Sequence, residues 1–285
     1  MTVPALDLAA VREIVRAALD EDLAGGVDVT SEATIPADQR ATGELVARAD
    51  GVVAGLAVAE EIFAATTGGD ALFAAKVTDG SRVHRGEVLA TVSGPTRRLL
   101  LAERTALNLL CRLSGVATAT RRWADALAGT RAVVRDTRKT TPLLRALEKY
   151  AVRCGGGENH RMALSDAALI KDNHVLAAGG VAAAYAKVTE AFPDVTVEIE
   201  VDDVAGAVEA AEAGAGLILL DNFSVDQVRQ AVSAVGGRAR LEVSGGLTLE
   251  SARAYAEAGV DYLAVGAITH SAPILDIAFD LREVR

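Results

Sequence analysis

Cysteine is scarce in this sequence: the 285 residues include two, Cys111 and Cys154, far apart and outside any CxxC pair. That excludes a disulfide framework and the usual spacing of a structural zinc site, and it favours reduced thiols in a cytoplasmic protein. Aromatic residues make up only 4%, so the core cannot be a large aromatic interior. No apolar run approaches the length that spans a membrane. The N-terminus, MTVPALDLAAVREIVRAALDEDL, carries acids and a helical period where a signal peptide would carry an apolar core. The formal net charge is −10, and no recognised nucleic-acid module is present, which argues against nucleic-acid partners.

What is present is apolar, and rich in alanine and glycine. Hydrophobic residues reach 51%, enough for one large core or two modest ones. The small residues favour helices packed closely on a sheet. Charge is uneven. Between Arg97 and Lys171, 15 Arg or Lys face 6 Asp or Glu. A positive segment inside an acidic protein points to an anionic ligand, against the alternative of arginines on exposed helix faces.

Periodicity divides the chain in two. Leu8, Val11, Ile14, Val15, Ala18 and Leu19 form a helical stripe that Asp7 can cap and Gly25-Gly26 can end. From residue 43 to 95 short strand-like runs flank a helical stretch over Val58–Thr66, with turns at Asp79-Gly80, Arg85-Gly86 and Gly94-Pro95. The phrase DGSRVHRGEVLATVSGP resembles the hairpins of lipoyl and biotin carrier domains, but the modifiable lysine is missing. Thr96–Leu127 reads as helix, and a domain boundary is expected inside it, at residue 112. Beyond residue 129, six strand-like segments follow: ARAVVRD, AALIKDN, VTVEIEV, GLILLDN, ARLEVSG and VDYLAVG. Helical patterns over Ala178–Ala191, Val204–Ala213, Val225–Val235 and Leu249–Ala258 separate the later ones. This beat predicts an α/β fold with a parallel sheet covered by helices. Six strands are fewer than the roughly eight of a full barrel, so an incomplete barrel is expected. No GxGxxG follows a strand, which weakens a dinucleotide site.

Polar residues recur just after these strands: Asp136, Asp172, Glu200, Asp221, Ser244-Gly245-Gly246 and Gly266. A barrel builds its active face from such positions. The two glycine loops at the last strands, the first followed by Thr248 as an N-cap, suit a phosphate; the alternative is ordinary tight turns. Glu200 and Asp221, at neighbouring strand ends, suit a divalent cation such as Mg2+. Glu198 shares a strand face with Glu200, and Glu242 is a further acid in a strand; a lone buried acid could instead pair with a strand Arg or Lys. Arg135, Arg138, Lys139, His160, Arg161, Lys171 and His174 gather cations around a glycine-rich loop, as a ligand with several negative groups requires. Ion pairing to Asp136, Glu158, Asp166 and Asp172 is the bland alternative. Lys171 also admits a Schiff-base role, which would make the protein an aldolase.

The chain resembles the nicotinate-nucleotide pyrophosphorylase family, also called quinolinate phosphoribosyltransferases. The likeness rests on DVTSEATIP, AERTALNLLCRLSGVAT, DTRKTTPLLRALEKYAVRCGGGENHR, LSDAALIKDNH, VEIEVD, LLDN, EVSGG and AVGAITHS. It implies an N-terminal α/β sandwich domain (1–112), an incomplete six-stranded α/β barrel (113–270), and a tail (271–285) that returns to the first domain. It implies transfer of phosphoribosyl from phosphoribosyl pyrophosphate to quinolinate with decarboxylation, in NAD biosynthesis, by a homodimer or larger assembly with shared sites. By motif, Arg138, His160, Arg161 and Lys171 hold quinolinate, with Arg104 donated by the partner subunit. Lys139 lies between the carboxylates and the pyrophosphate. Glu200 and Asp221 stand near the ribose and Mg2+, and Ser244, Gly245, Gly246 and Gly266 take the 5′-phosphate with His270 beside them. Lys139, Lys171, Glu200 and Asp221 are the expected catalytic groups. A sister phosphoribosyltransferase acting on another acid, such as nicotinate, remains an alternative, as does a non-catalytic binding protein.

Overall fold

Asp7 opens the first helix as the pattern asks: its carboxylate accepts from the Ala9 N–H. The structure, a computed structural model, describes residues 6–284; the first five residues and Arg285, which the sequence reading includes, lie outside the described residues. α1 (Leu8–Leu23) ends one residue before the glycine pair, at Ala24 with φ 46. There follow α2 (Val29–Thr34), β1 (Arg40–Ala47), β2 (Gly51–Val52), α3 (Leu56–Thr67), β3 (Leu72–Ala75), β4 (Arg82–Val83), β5 (Val88–Pro95) and α4 (Thr96–Ala126). The chain continues through β6 (Val133–Arg135), α5 (Arg145–Cys154), β7 (Ala167–Ile170), α6 (Asp172–Ala178), α7 (Val181–Ala191), β8 (Thr196–Val201), α8 (Val204–Glu212) and β9 (Leu217–Asp221). It ends with α9 (Val225–Val235), β10 (Arg240–Ser244), α10 (Leu249–Glu257), β11 (Tyr262–Ala264), α11 (Ala267–His270) and β12 (Ile277–Val284).

Two units result, each with its own core. The first gathers residues 1–121, 141–156 and 271–285. Its four-stranded sheet has the order β12-β1-β5-β3. All three pairings are antiparallel, and β12 pairs with β1 from Ala47↔Ile277 to Ala41↔Val284. Leu45, Ile62, Phe63 and Leu89 are fully buried here, each contributing about 1.5–3 kcal/mol. Gly43 makes room for the Phe279 ring, since a Cβ would fall 2.3 Å from it. α3 takes its cap from afar: Asp79 accepts from the Gly55 and Leu56 N–H groups at 2.9 and 3.1 Å and from the Tyr150 hydroxyl at 2.8 Å.

The second unit gathers residues 122–140 and 157–270. Among its described residues six strands form one sheet, in the order β6-β11-β10-β9-β8-β7, with every pairing parallel. Val134, Ile199, Ile218, Leu220, Val243 and Leu263 are fully buried in it. The free edge of β6 is met by the segment around Glu158, which bridges Arg135 in parallel and donates to Val134 O at 2.9 Å. A stretch outside the regular strands thus stands where the barrel is incomplete. Asp203, Ser224 and Thr248 cap α8, α9 and α10 with their side chains. Among the described residues no helix is long and apolar enough to cross a membrane.

Two elements depart from the pattern. The helix expected over Ala178–Ala191 begins only at Val181, as α7, because Gly179 and Gly180, at φ 95 and 131, separate it from α6, a short helix that the strand-like reading of AALIKDN does not anticipate. α5 buries Glu148 and Lys149 beside Leu147, Ala151 and Val152, so apolar periodicity alone does not mark it.

Candidate active site

The six strands deliver their C-terminal ends to one cavity of about 620 Å³. β6 leads into Thr137, Arg138 and Lys139; β7 into Lys171; β8 carries Glu200; β9 ends at Asp221; β10 ends at Ser244 before Gly245. His160 and Arg161 come from the segment beside β6. The cavity therefore brings together nine of the residues singled out by sequence: Arg138, Lys139, His160, Arg161, Lys171, Glu200, Asp221, Ser244 and Gly245. Gly246, Gly266 and His270 stand outside its lining. Arg104 lies on α4, in the first unit.

Cations and acids share the lining of this space. Burial, and then the field of Arg138, hold the Arg161 guanidinium below its usual pKa. Arg161 Nη1 donates to Ala167 O at 2.9 Å. Lys171 Nζ donates to Glu200 Oε2 at 2.7 Å. The Lys171 side chain is 48% exposed. A wet lysine paired to a carboxylate lacks the apolar setting that a Schiff-base lysine needs, so the aldolase alternative loses its footing.

Loop geometry fixes Lys139. The Lys139 N–H donates to Thr137 Oγ1 at 3.0 Å, and fully buried Thr269 donates its hydroxyl to Lys139 O at 2.9 Å. A Cβ on Gly266 would lie 3.1 Å from Lys139 Cδ and 3.2 Å from His270 Nε2. Glycine there lets the lysine stem and the histidine ring approach the strand end together.

Asn222 was not singled out by sequence, although it sits in the LLDN motif and lines the cavity. It adopts φ 57, a left-handed conformation that asparagine tolerates better than most residues. Its side chain donates to Asp221 Oδ2 at 2.7 Å, and its N–H donates to Ser244 O at 2.9 Å. Gly245, at φ 90, leaves room for it: a Cβ there would fall 2.1 Å from Asn222 Oδ1. An asparagine directly after a strand-end acid was the available signal.

Beneath the cavity lies a buried polar layer. His160 Nε2 is 2.6 Å from Glu198 Oε2 and 3.6 Å from Glu242 Oε1. Arg135 Nη1 donates to Glu242 Oε2 at 2.6 Å, and the Arg135 guanidinium stands 4.5 Å over the Tyr262 ring. The Glu242 carboxyl is pushed up to about 7, by burial first and by Glu198 second, against the pull of Arg135 and His160. Among the described residues, His160, Glu198 and Glu242 also offer ligand atoms within 4.8 Å of one another, a grouping that could hold a metal ion.

An incomplete α/β barrel whose mouth sets four cations against two strand-end acids and a glycine loop is the architecture of an enzyme for a small polyanionic substrate. The sequence likeness narrows the class. Residues 28–114 match the family model "Quinolinate phosphoribosyl transferase, N-terminal domain" and residues 116–280 match its C-terminal counterpart. The chain belongs to the quinolinate phosphoribosyltransferase family. It is 52% identical over 279 residues to "Nicotinate-nucleotide pyrophosphorylase [carboxylating]" of Mycobacterium leprae, covering 95% of this chain and 97% of that protein. Among solved structures it is similar to NadC from Streptococcus pyogenes, with a TM-score of 0.93, 39% identity and 99% of each chain covered. It is similar also to the nicotinate-nucleotide pyrophosphorylase from Francisella tularensis, with a TM-score of 0.92, 34% identity and 99% of each chain covered.

Proposed function

We propose that this protein is a quinolinate phosphoribosyltransferase. It joins quinolinate to phosphoribosyl pyrophosphate and releases nicotinate mononucleotide, pyrophosphate and carbon dioxide in NAD biosynthesis. The observation that carries this reading is the single cavity in which Arg138, Lys139, Arg161 and Lys171 face Glu200 and Asp221. Quinolinate bears two adjacent carboxylates, and several fixed cations are what a dianion requires.

In the reaction the ring nitrogen attacks ribose C1 and the C1–oxygen bond to pyrophosphate breaks. Arg138 and Arg161 orient the diacid, with His160 beside them. Lys139 stabilises charge that develops on the leaving pyrophosphate. Glu200 and Asp221 steady positive character on the ribose, and Lys171 lies between them and the diacid. Ser244, Gly245 and Gly246, with Gly266 and His270, accept the 5′-phosphate. Holding two charged substrates in line supplies much of the rate. The quaternised nitrogen then draws electrons as the C2–carboxylate bond breaks; carbon dioxide leaves, and C2 takes up a proton.

Glu200 and Asp221 fit Mg2+. They end adjacent strands, and each engages one oxygen, Glu200 with Lys171 and Asp221 with Asn222, which leaves the other for a hard cation. A bound Mg2+ would supply positive charge for the pyrophosphate oxygens. The reading includes a homodimer or larger assembly in which Arg104, in the AERTALN motif, reaches the partner's cavity. It also keeps the division into a sandwich domain (1–112), a barrel domain (113–270) and a tail (271–285), of which the pairing of β12 with β1 supports the return of the tail.

The test is a mass-resolved assay with quinolinate, phosphoribosyl pyrophosphate and Mg2+, with nicotinate as parallel substrate. Carbon dioxide and nicotinate mononucleotide are expected together, from quinolinate alone. Turnover of nicotinate instead would move the protein to the sister activity.

A further inference from the structure

His160 lines the cavity, and the motif likeness assigns it to substrate. Its hydrogen bonds assign it elsewhere. The Arg161 N–H donates to His160 Nδ1 at 2.7 Å, so Nδ1 bears a lone pair and the ring proton sits on Nε2. Nε2 in turn lies 2.6 Å from Glu198 Oε2, with Glu242 Oε1 at 3.6 Å behind it. The His160 main chain is held as well: its N–H donates to Asp136 Oδ1 at 2.9 Å. Glu198 comes from β8, Glu242 from β10 and Asp136 from the end of β6. Three strands thus converge on one residue, two on its imidazole and one on its main chain. The carboxylates are 2%, 0% and 0% exposed, and His160 is 9% exposed. Neither ring nitrogen is directed to a ligand: one accepts from the main chain and the other donates to a buried acid.

We infer that Glu198, backed by Glu242, is a positioning residue for the diacid pocket: it fixes the tautomer and plane of His160, and through Nδ1 the main chain that presents Arg161. The inference rests on the quinolinate reading of the cavity. Two other accounts of the same residues make different predictions. A buried ion group that only stabilises the barrel would affect every ligand alike. A metal held by His160, Glu198 and Glu242 through Nε2 would require Nε2 to carry a lone pair.

The first measurement is the 15N spectrum of the histidine-labelled protein, which has four histidines, with the His160→Gln variant used for assignment. The His160 signals should show Nε2 protonated and Nδ1 unprotonated, unchanged by quinolinate or by Mg2+. A protonated Nδ1, or loss of the Nε2 proton to quinolinate or to added divalent metal, overturns the inference. The second measurement is calorimetric binding of quinolinate, and separately of phosphoribosyl pyrophosphate with Mg2+. Glu198→Gln keeps a carbonyl acceptor and should retain both the tautomer and the quinolinate affinity. Glu198→Met, of similar length but without the acceptor, should weaken quinolinate about tenfold, as losing one charge-assisted hydrogen bond does, and leave phosphoribosyl pyrophosphate unchanged. Equal loss of both ligands, or selective loss of quinolinate in the Gln variant, counts against positioning through the acceptor. If Glu198→Met does not fold, the wild-type spectrum and the Gln variant still decide. If the wild type shows the expected tautomer but binds no quinolinate, the functional reading fails while the His160 assignment stands.

Discussion

At the scale of single residues the cavity depends on orientation as much as on charge. Asp221 is held by Asn222, whose side chain donates to Oδ2 at 2.7 Å. Glycine at 222 would keep the left-handed backbone and delete only that donor. Asn222→Gly should therefore fold normally and lower kcat about tenfold, the worth of one hydrogen bond to a charged group; steady-state kinetics alongside a melting curve check this. An unchanged kcat would leave Asn222 as a turn residue. Glu242 makes a second prediction. Its carboxyl rises from 4.5 to about 7 on folding, so the folded state holds a proton that the unfolded chain releases. This group's contribution to stability is fully present below about pH 4.5 and is lost as pH rises through about 7. Glu242→Gln, which resembles the protonated acid, should match the wild type near pH 5 and exceed it above about pH 7 in urea midpoint. Parallel pH curves for the two proteins would show that the acid ionises without cost. Glu200 and Asp221 were legible as strand-end acids. The work of Glu198 and Glu242 was not, because a strand alternation says which face an acid lies on but not that an imidazole and a guanidinium meet it there.

At the scale of elements, legibility followed periodicity. From residue 195 to 264 each strand is short and rich in β-branched or leucine residues and each long helix has an apolar face, and the observed β8–β11 and α8–α10 lie close to where the pattern puts them. α5 escaped because its inward face carries Glu148 and Lys149. There Glu148 is met by Arg112 at 2.8 Å and by the Thr141 hydroxyl at 2.7 Å, and such long-range pairing leaves no local signal. The start of α3 shows the same limit. Its own N-cap residue is Gly55, and the capping carboxylate comes from Asp79, in a turn that the sequence marked only as a turn. Asp79 serves two helix-start N–H groups and the Tyr150 hydroxyl. Asp79→Ala should cost about 2 kcal/mol or more, from a lost cap together with unpaired, half-buried donors. Chemical denaturation measures it. A loss under about 0.5 kcal/mol, the level of an ordinary surface substitution, would mean that water replaces the carboxylate.

At the scale of the whole molecule, composition already separated a positive middle segment from an acidic remainder, and the residues between Arg135 and Lys171 supply four of the cavity's cations. Arg104 belongs to the same positive segment but lies on α4, in the unit that does not line the cavity. If Arg104 acts across a subunit interface, two inactive variants should complement each other. Arg104→Ala damages the site it reaches into, and Lys139→Ala damages the site of its own barrel. In a dimer that pairs one of each, one cavity combines the intact Lys139 of one chain with the intact Arg104 of the other, while the second cavity lacks both. Random pairing of equal amounts makes half of the dimers mixed, and half of their sites native, so the mixture should regain about a quarter of wild-type activity. Recovery should depend on dissociation and reassembly, and should be absent when the variants are combined without it. No recovery in mixed dimers verified by differential tagging would place Arg104 in the cavity of its own chain or outside the site altogether, and either outcome would withdraw the shared-site assembly.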